Sequence, residues 1–130
     1  MSTPTTGLSQ FAQVKRVRLT TYAANGNPVG TTTSIAVEGD HAFVRTHRRA
    51  GDHARLERYP EVEISKVTMG GTPDGAPMKA RARRLRGAEA RHAARRLALR
   101  HPVAQAVATP IGYALIADRP VHYELRLVGE

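Results

Sequence analysis

Six short segments with strand character, separated by turns, constrain the fold of this chain more than any other feature. In the first segment Val17 and Leu19 alternate with Arg16 and Arg18, the period of two residues expected when one face of a strand is buried. A turn sequence, AANGNP, follows it. The predicted strands are residues 15–22, 29–37, 41–46, 61–68, 78–85 and 121–127.

The helices that accompany these strands are few and short. Residues 52–59 can form about two helical turns that end at Pro60, and from Ala88 onward small apolar residues recur with the spacing of an amphipathic helix. An apolar stretch at residues 101–110 can add a further short helix. The prediction is a mainly β fold, a six-stranded antiparallel barrel closed to remove its sheet edges, with helices that plug or flank it.

The length of the chain favours one domain. Since 130 residues fit a single hydrophobic core, we expect residues 1–14 to be a tail with a short helix and residues 15–130 to form one domain. The chain has no cysteine, which excludes disulfides and thiolate metal sites. The sequence has neither signal-peptide character nor an apolar run of about 18 residues, so a cytoplasmic location is expected.

The net charge of +9 is concentrated in one segment. Residues 79–100 hold nine lysines and arginines against one acid, Glu89, whereas the rest of the chain is nearly neutral. A local basic face can bind nucleic acid, accept a small polyanion or simply be solvated. With 5% aromatic residues and no tryptophan, the chain has little with which to stack bases.

A second concentration of charge lies where a predicted strand meets a predicted helix. This junction suits a bound anion, because a helix N-terminus offers free N–H groups and a favourable dipole. The alternative is a solvated basic turn. The basic residues around Gly51 are His47, Arg48, Arg49, His53 and Arg55.

The histidines at positions 41, 47 and 53 recur every six residues and raise the question of a metal site. His41 and His47 would share a strand face, but about 20 Å of strand separates them at roughly 3.3 Å per residue, too far for one ion. No metal site is therefore predicted.

The order of the segments resembles a known family. The runs TTYAANGNPVGTTTSIAVEGDHAFVRT and RRAGDHARLERYPEVEIS, followed by a Gly/Pro loop and MKARARRL, are similar to the split-barrel flavin and deazaflavin oxidoreductases related to pyridoxamine 5'-phosphate oxidase. GAEARHAARRLALRHPVAQAV and VHYEL continue the match, which extends from Lys15 to Leu127. Within that family the chain looks most like the branch that uses coenzyme F420.

The resemblance implies a homodimer of six-stranded split barrels, with two cofactor sites at the dimer interface. The ring of the cofactor would lie against residues 29–34, where a row of threonines can present hydroxyl and backbone groups; β-propensity alone also explains such a row. The phosphate would lie at residues 46–55. The cofactor-binding residues implied in this way are Thr31, Thr32, Thr33, Thr46, His47, Arg48, Arg49, Gly51 and Arg55.

One position departs from the family pattern. Where relatives usually show a Ser-Gly-Lys-x-Lys-Arg run, this chain has Asp52 and Ala54 in place of the two lysines. An aspartate beside a phosphate is unfavourable unless a neighbouring cation pairs with it. Arg48, Arg49 and Arg55 can supply that compensation.

The function that the resemblance implies is hydride transfer from reduced F420 to an electron-poor small molecule, with the basic residues of 78–100 available to a polyglutamate tail. An FMN-dependent oxidoreductase of the same fold is one alternative. A non-catalytic basic module that binds a cofactor or nucleic acid is another. No catalytic side chain is predicted: Tyr22, His47, Tyr113 and Tyr123 are proton donors by type only, and local hydrogen bonding explains buried tyrosines equally well.

Overall fold

The alternation of apolar and polar residues builds a closed barrel. The computed structural model describes residues 7–47, 51–68, 70, 72–100 and 120–128. Its helices are a 3-10 helix at Gly7–Phe11, α1 at Gly51–Arg58 and α2 at Gly87–Arg100. Its strands are β1 (Arg16–Tyr22), β2 (Pro28–Glu38), β3 (His41–His47), β4 (Glu61–Val67), β5 (Pro73–Arg84) and β6 (Pro120–Leu127).

All neighbouring strands of the barrel are antiparallel, in the order β1-β2-β3-β6-β5-β4, with β4 closing back on β1. The predicted mainly β barrel with six strands is therefore confirmed. Because the sheet closes on itself, it has no first or last strand with an unpaired outer edge.

The predicted loop at residues 69–77 was wrong in its second half, because β5 begins at Pro73. Asp74 pairs with Lys66 and Met78 with Ile64, so four steps along β5 match two along β4. Residues 75–77 therefore form a bulge, which accommodates Gly75 at φ 89° and Pro77 within a strand.

The core lies inside the barrel and is closed at its ends by short helical elements. Val17, Leu19 and Ile64 are fully buried on inward faces. Leu8 and Phe11 of the 3-10 helix are buried in the same cluster, as is Leu56 of α1. Each of these two helical elements covers apolar surface that the sheet leaves open to water at an end of the barrel.

Helix α2 packs against the outside of the barrel. Ala93 and Leu97 are buried against Phe43 and Leu85, while the arginines within residues 91–96 face outward, as the periodicity of the helix predicts. The Glu38 carboxylate also accepts a hydrogen bond from His92 Nε2 at 2.9 Å and forms an ion pair with Arg96, whose Nε lies 3.1 Å away. The hydrogen bond from His92 is the main cause of the lowered pKa of Glu38.

The additional helix predicted at residues 101–110 lies outside the described residues. Within the part of the chain that the structure describes, no helix is long and apolar enough to cross a membrane.

Leu97 and Leu99 of α2 provide a test of this packing. Leu97 is 3% exposed and Leu99 is 71% exposed. We expect Leu97→Ala to lower the free energy of unfolding by about 2–4 kcal/mol because it leaves a cavity. Leu99→Ala, the same substitution two residues away, should change it by less than about 0.5 kcal/mol. Urea unfolding measures both, and equal losses would contradict the packing of α2 on the barrel.

Candidate functional site

Strand β2 changes partners along its length, which opens a gap in the barrel wall. Its first half pairs with β1, from Pro28 opposite Tyr22 to Ser34 opposite Arg16. Pairing with β3 is confined to residues 35–38, which lie opposite residues 41–44, whereas β3 pairs with β6 along its other edge as far as His47. Among the described residues, nothing hydrogen-bonds along the β3-facing edge of residues 28–34 in the manner of a strand.

This gap contains a cavity of about 230 Å³, hereafter the β2–β3 groove. Thr33 Oγ1 donates across it to the carbonyl oxygen of Arg45 at 2.9 Å, which links the two diverging strands. The residues that line the groove are Arg16, Thr32, Thr33, Ser34, Arg45, Thr46 and Asp52.

Thr46 carries the least satisfied hydroxyl of the groove. The residue is 3% exposed, yet among the described residues its Oγ1 has no hydrogen-bond partner. A buried polar atom without a partner costs about 1–3 kcal/mol, so such atoms are rare unless a ligand or water completes them. This hydroxyl marks the groove as a candidate site for a polar ligand.

Two arginines give the groove its positive charge. Arg16 and Arg45 are exposed, line the groove, and have no acidic partner among the described residues. The guanidinium of Arg18 covers Gly30 of β2, so closely that a Cβ added at Gly30 would clash with Arg18 Nη2. The absence of a side chain at Gly30 lets this arginine lie flat on β2.

The acidic residue of the groove, Asp52, belongs to a hydrogen-bond network that joins three elements. Asp52 is 9% exposed; its Oδ2 accepts a hydrogen bond from Thr31 Oγ1 at 3.0 Å, and its Oδ1 lies 3.4 Å from an Arg55 guanidinium nitrogen. Arg55 Nε in turn donates to Thr21 Oγ1 at 2.6 Å. The resulting Asp52 network, made of Thr21, Thr31, Asp52 and Arg55, ties α1 to β1 and β2.

The residues predicted to bind a cofactor fall into three groups. Thr32, Thr33 and Thr46 line the groove. Thr31 and Arg55 lie behind it in the Asp52 network, and Gly51 stands at the start of α1, where an added Cβ would be 2.5 Å from Arg55. His47 ends β3, but its side chain lies outside the described residues, as do Arg48 and Arg49.

Sequence reasoning did not identify four of the lining residues as site residues. Arg16 and Ser34 are brought to the groove by the β1–β2 register, and Arg45 by the divergence of β3 from β2. The sequence drew attention to Asp52 only because it replaces a lysine that relatives usually have at this position. Cross-strand register depends on pairing between distant segments, so local alternation could not predict the other three.

A larger cavity, of about 570 Å³, lies away from the groove. It is lined by Tyr22, Tyr59, Glu61 and Glu63, among other residues. Its tyrosine hydroxyls and carboxylates pair with one another, since Tyr22 donates to Glu63 at 2.5 Å and Tyr59 donates to Glu61 at 2.9 Å, although Arg58 and Lys79 also line it. We therefore place the candidate site in the smaller β2–β3 groove, where a buried hydroxyl lacks a hydrogen-bond partner among the described residues.

Two of the tyrosines considered as proton donors, Tyr22 and Tyr123, are already hydrogen-bonded. The bond to Glu63 raises the pKa of Tyr22 to about 12. Burial raises the pKa of Tyr123, whose hydroxyl lies 2.9 Å from His53 Nδ1. Neither residue lines the groove. Tyr113 lies outside the described residues.

Comparison with solved structures identifies the fold. The chain superposes on a protein described as an F420 reductase with a TM-score of 0.64 at 16% identity, covering 98% of this chain and 97% of that one. It matches HutZ, the heme storage protein of Vibrio cholerae, with a TM-score of 0.65 at 17% identity, covering 95% and 89%. An Agrobacterium tumefaciens protein of unknown function gives 0.68 at 22% identity over 88% of this chain, which spans about half (49%) of that protein.

These similarities show that the chain has the split-barrel fold of flavin-binding proteins related to pyridoxamine 5'-phosphate oxidase, as its sequence predicted. No protein-family model matches the chain, and the search of curated proteins finds no match. Proteins of this fold include F420 reductases and heme-binding proteins. The fold alone does not decide between these functions.

The Asp52 network is testable by substitution of its arginine. We expect Arg55→Met to lower the free energy of unfolding by about 2–4 kcal/mol, because it leaves the buried Asp52 carboxylate without its cation. Arg58→Met, in the same helix but at an exposed arginine with no acidic partner among the described residues, should change it by less than about 0.5 kcal/mol. Thermal and urea unfolding compare the two variants; equal stabilities would contradict the network.

Proposed function

We propose that this chain is an oxidoreductase that binds F420 in the β2–β3 groove and passes a hydride from the reduced cofactor to an electron-poor small molecule. The observation that carries the proposal is the buried Thr46 hydroxyl, which has no hydrogen-bond partner among the described residues, in a groove that also presents an open strand edge and two arginines without an acidic partner in that part of the chain. The similarity in fold to a protein described as an F420 reductase supports the choice of cofactor.

The groove residues suit the polar edge of a tricyclic ring. Thr32, Thr33 and Ser34 line one wall, and Thr46 lines the other, although the Thr33 hydroxyl is already bonded to the carbonyl oxygen of Arg45. Backbone N–H and C=O groups along the open edge of β2 add donors and acceptors of fixed direction. In the proposed complex these groups orient the ring, while the arginines Arg16 and Arg45 attract anionic groups of the cofactor.

The groove is too small to enclose a tricyclic ring by itself, which favours a second chain that covers the exposed part of the ring. A volume of about 230 Å³ is below the roughly 300–1,000 Å³ typical of pockets that enclose a ligand, so a tricyclic ring would project from it. We propose that a second copy of the chain covers the exposed part, in a homodimer with the cofactor at the interface. Such coverage would also exclude water from the face where hydride leaves.

The side chains of the groove supply position rather than proton transfer. When bound, the reduced cofactor supplies the hydride. Among the described lining residues, Asp52 is the one acid, and its carboxylate is directed at Thr31 and Arg55. Threonine hydroxyls are poor acids, so they orient the ring and the acceptor by hydrogen bonds. A small-molecule acceptor would reach the cofactor from the open side of the groove.

A second candidate is binding without turnover, because the heme storage protein HutZ has the same fold. FMN is the alternative cofactor for the enzymatic function. Nucleic acid is a weaker candidate, although Arg91 and Arg95 on α2 are exposed and have no acidic partner among the described residues. Binding of a duplex through several phosphates would weaken steeply with salt, which separates it from cofactor binding.

Thr46→Val tests the proposal because the two side chains have the same shape. We expect the variant to be more stable than the wild type by about 1 kcal/mol, since it removes a buried hydroxyl without a partner. It should nevertheless bind F420 about fivefold to tenfold more weakly, the value of one hydrogen bond. Unfolding and fluorescence titration with F420 measure the two effects.

The matched control is Thr21→Val, which removes a buried hydroxyl that does have a partner. This variant should lose about 1–2 kcal/mol of stability, because Arg55 Nε is left without its acceptor. A loss of stability in Thr46→Val equal to that in Thr21→Val would mean that the Thr46 hydroxyl serves the fold. Absence of F420 binding to the wild type would contradict the proposed function itself.

A further inference from the structure

We infer that Asp52 acts as a built-in anion of the β2–β3 groove and makes the groove select ring cofactors that carry no terminal phosphate monoester. The inference rests on the proposed function, because it concerns which cofactor the same groove accepts. It makes FMN a poor ligand and favours rings whose chain ends in a hydroxyl or continues through a phosphodiester.

The place where an anion would be expected is already filled. Asp52 is the second residue of α1, so its carboxylate lies at the positive end of the helix dipole. It lines the groove at 9% exposure, as does Thr46, whose hydroxyl has no partner among the described residues. A phosphate that entered this end of the groove would meet a carboxylate before it reached the first turn of α1.

The cation that could offset this carboxylate is turned away from the groove. Arg55 does not line the groove: its Nε is bonded to Thr21, a nitrogen of its guanidinium contacts Asp52, and NH1 lies against Gly51. The guanidinium side chain is 18% exposed. Arg55 is therefore engaged by Thr21 and, through one contact of 3.4 Å, by Asp52, and turning it toward a ligand would leave Asp52 buried and unpaired.

The charge of the ligand decides how strongly Asp52 opposes it. A phosphate monoester carries about −1.5 to −2 at pH 7, whereas a phosphodiester carries a single negative charge and riboflavin has no phosphate. Repulsion by a fixed carboxylate within a few ångströms scales with that charge and is strengthened by burial. Discrimination should therefore be strongest against FMN, weaker against a diester and absent for riboflavin.

The free cations of the groove lie where a longer, anionic chain could reach them. Arg16 stands on β1 opposite Ser34 and Arg45 on β3, and both are exposed. Carboxylates that extend beyond a phosphodiester, as in the polyglutamate chain of F420, can pair with such exposed guanidiniums without passing Asp52. The charge pattern of the groove thus favours F420 over FMN.

The experiment compares riboflavin, FMN and F420 as ligands of the full chain by fluorescence titration. We expect the wild type to bind riboflavin at least as tightly as FMN. Asp52→Asn keeps an acceptor for Thr31 but removes the charge, so it should tighten FMN binding about tenfold and change riboflavin binding less than twofold. Asp40→Asn makes the same change of net charge at the far end of β2, on the order of 20 Å away, and should leave both affinities unchanged.

The outcomes separate the inference from the function on which it rests. Tenfold tighter binding of FMN than of riboflavin by the wild type would overturn the inference, even if Asp52→Asn failed to fold. An unchanged ratio of the two affinities in a folded Asp52→Asn variant would overturn it as well. Failure of all three ligands to bind the wild type would overturn the proposed function instead.

Discussion

The hydrogen bonds and the ion pair at Asp52 hold together the parts of this barrel on which its proposed function depends. Through Thr31 they reach β2, and through Arg55 and Thr21 they reach β1, so the short helix α1 is fixed over one end of the barrel. That helix also inserts Leu56 into the core. A helix of eight residues would be marginal alone, and tertiary contacts stabilise it here. Asp52 also lines the groove. The residue that stabilises the fold is therefore also the one that we propose to select the ligand.

The groove itself follows from strand pairing rather than from any single residue. β2 has 11 residues and is longer than either neighbouring strand. Its first seven residues pair with β1, and its last four pair with β3. Where β3 leaves it, backbone groups and the Thr46 hydroxyl lack partners among the described residues. Buried polar groups in that condition are costly to a fold and useful to a binding site.

Local patterns predicted the elements of this structure better than they predicted its site. The alternation of Val17 and Leu19 with arginines located β1, and the spacing of Ala93 and Leu97 located α2, because each pattern reports burial of one face. The extent of β5 was missed, since the bulge that tolerates Gly75 and Pro77 exists only through pairing with β4. Arg16 and Arg45 reach the groove through cross-strand register, and Arg55 turns inward because of Asp52, which are both non-local effects.

The proposed site for a planar ring lies between the first half of β2 and the end of β3. Amide chemical shifts of nitrogen-labelled protein, recorded during titration with F420, locate the bound ring. We expect the largest shifts to fall on Thr32, Thr33, Ser34 and Thr46. Shifts concentrated instead on Tyr22, Tyr59 and Glu63, around the larger cavity, would contradict this placement.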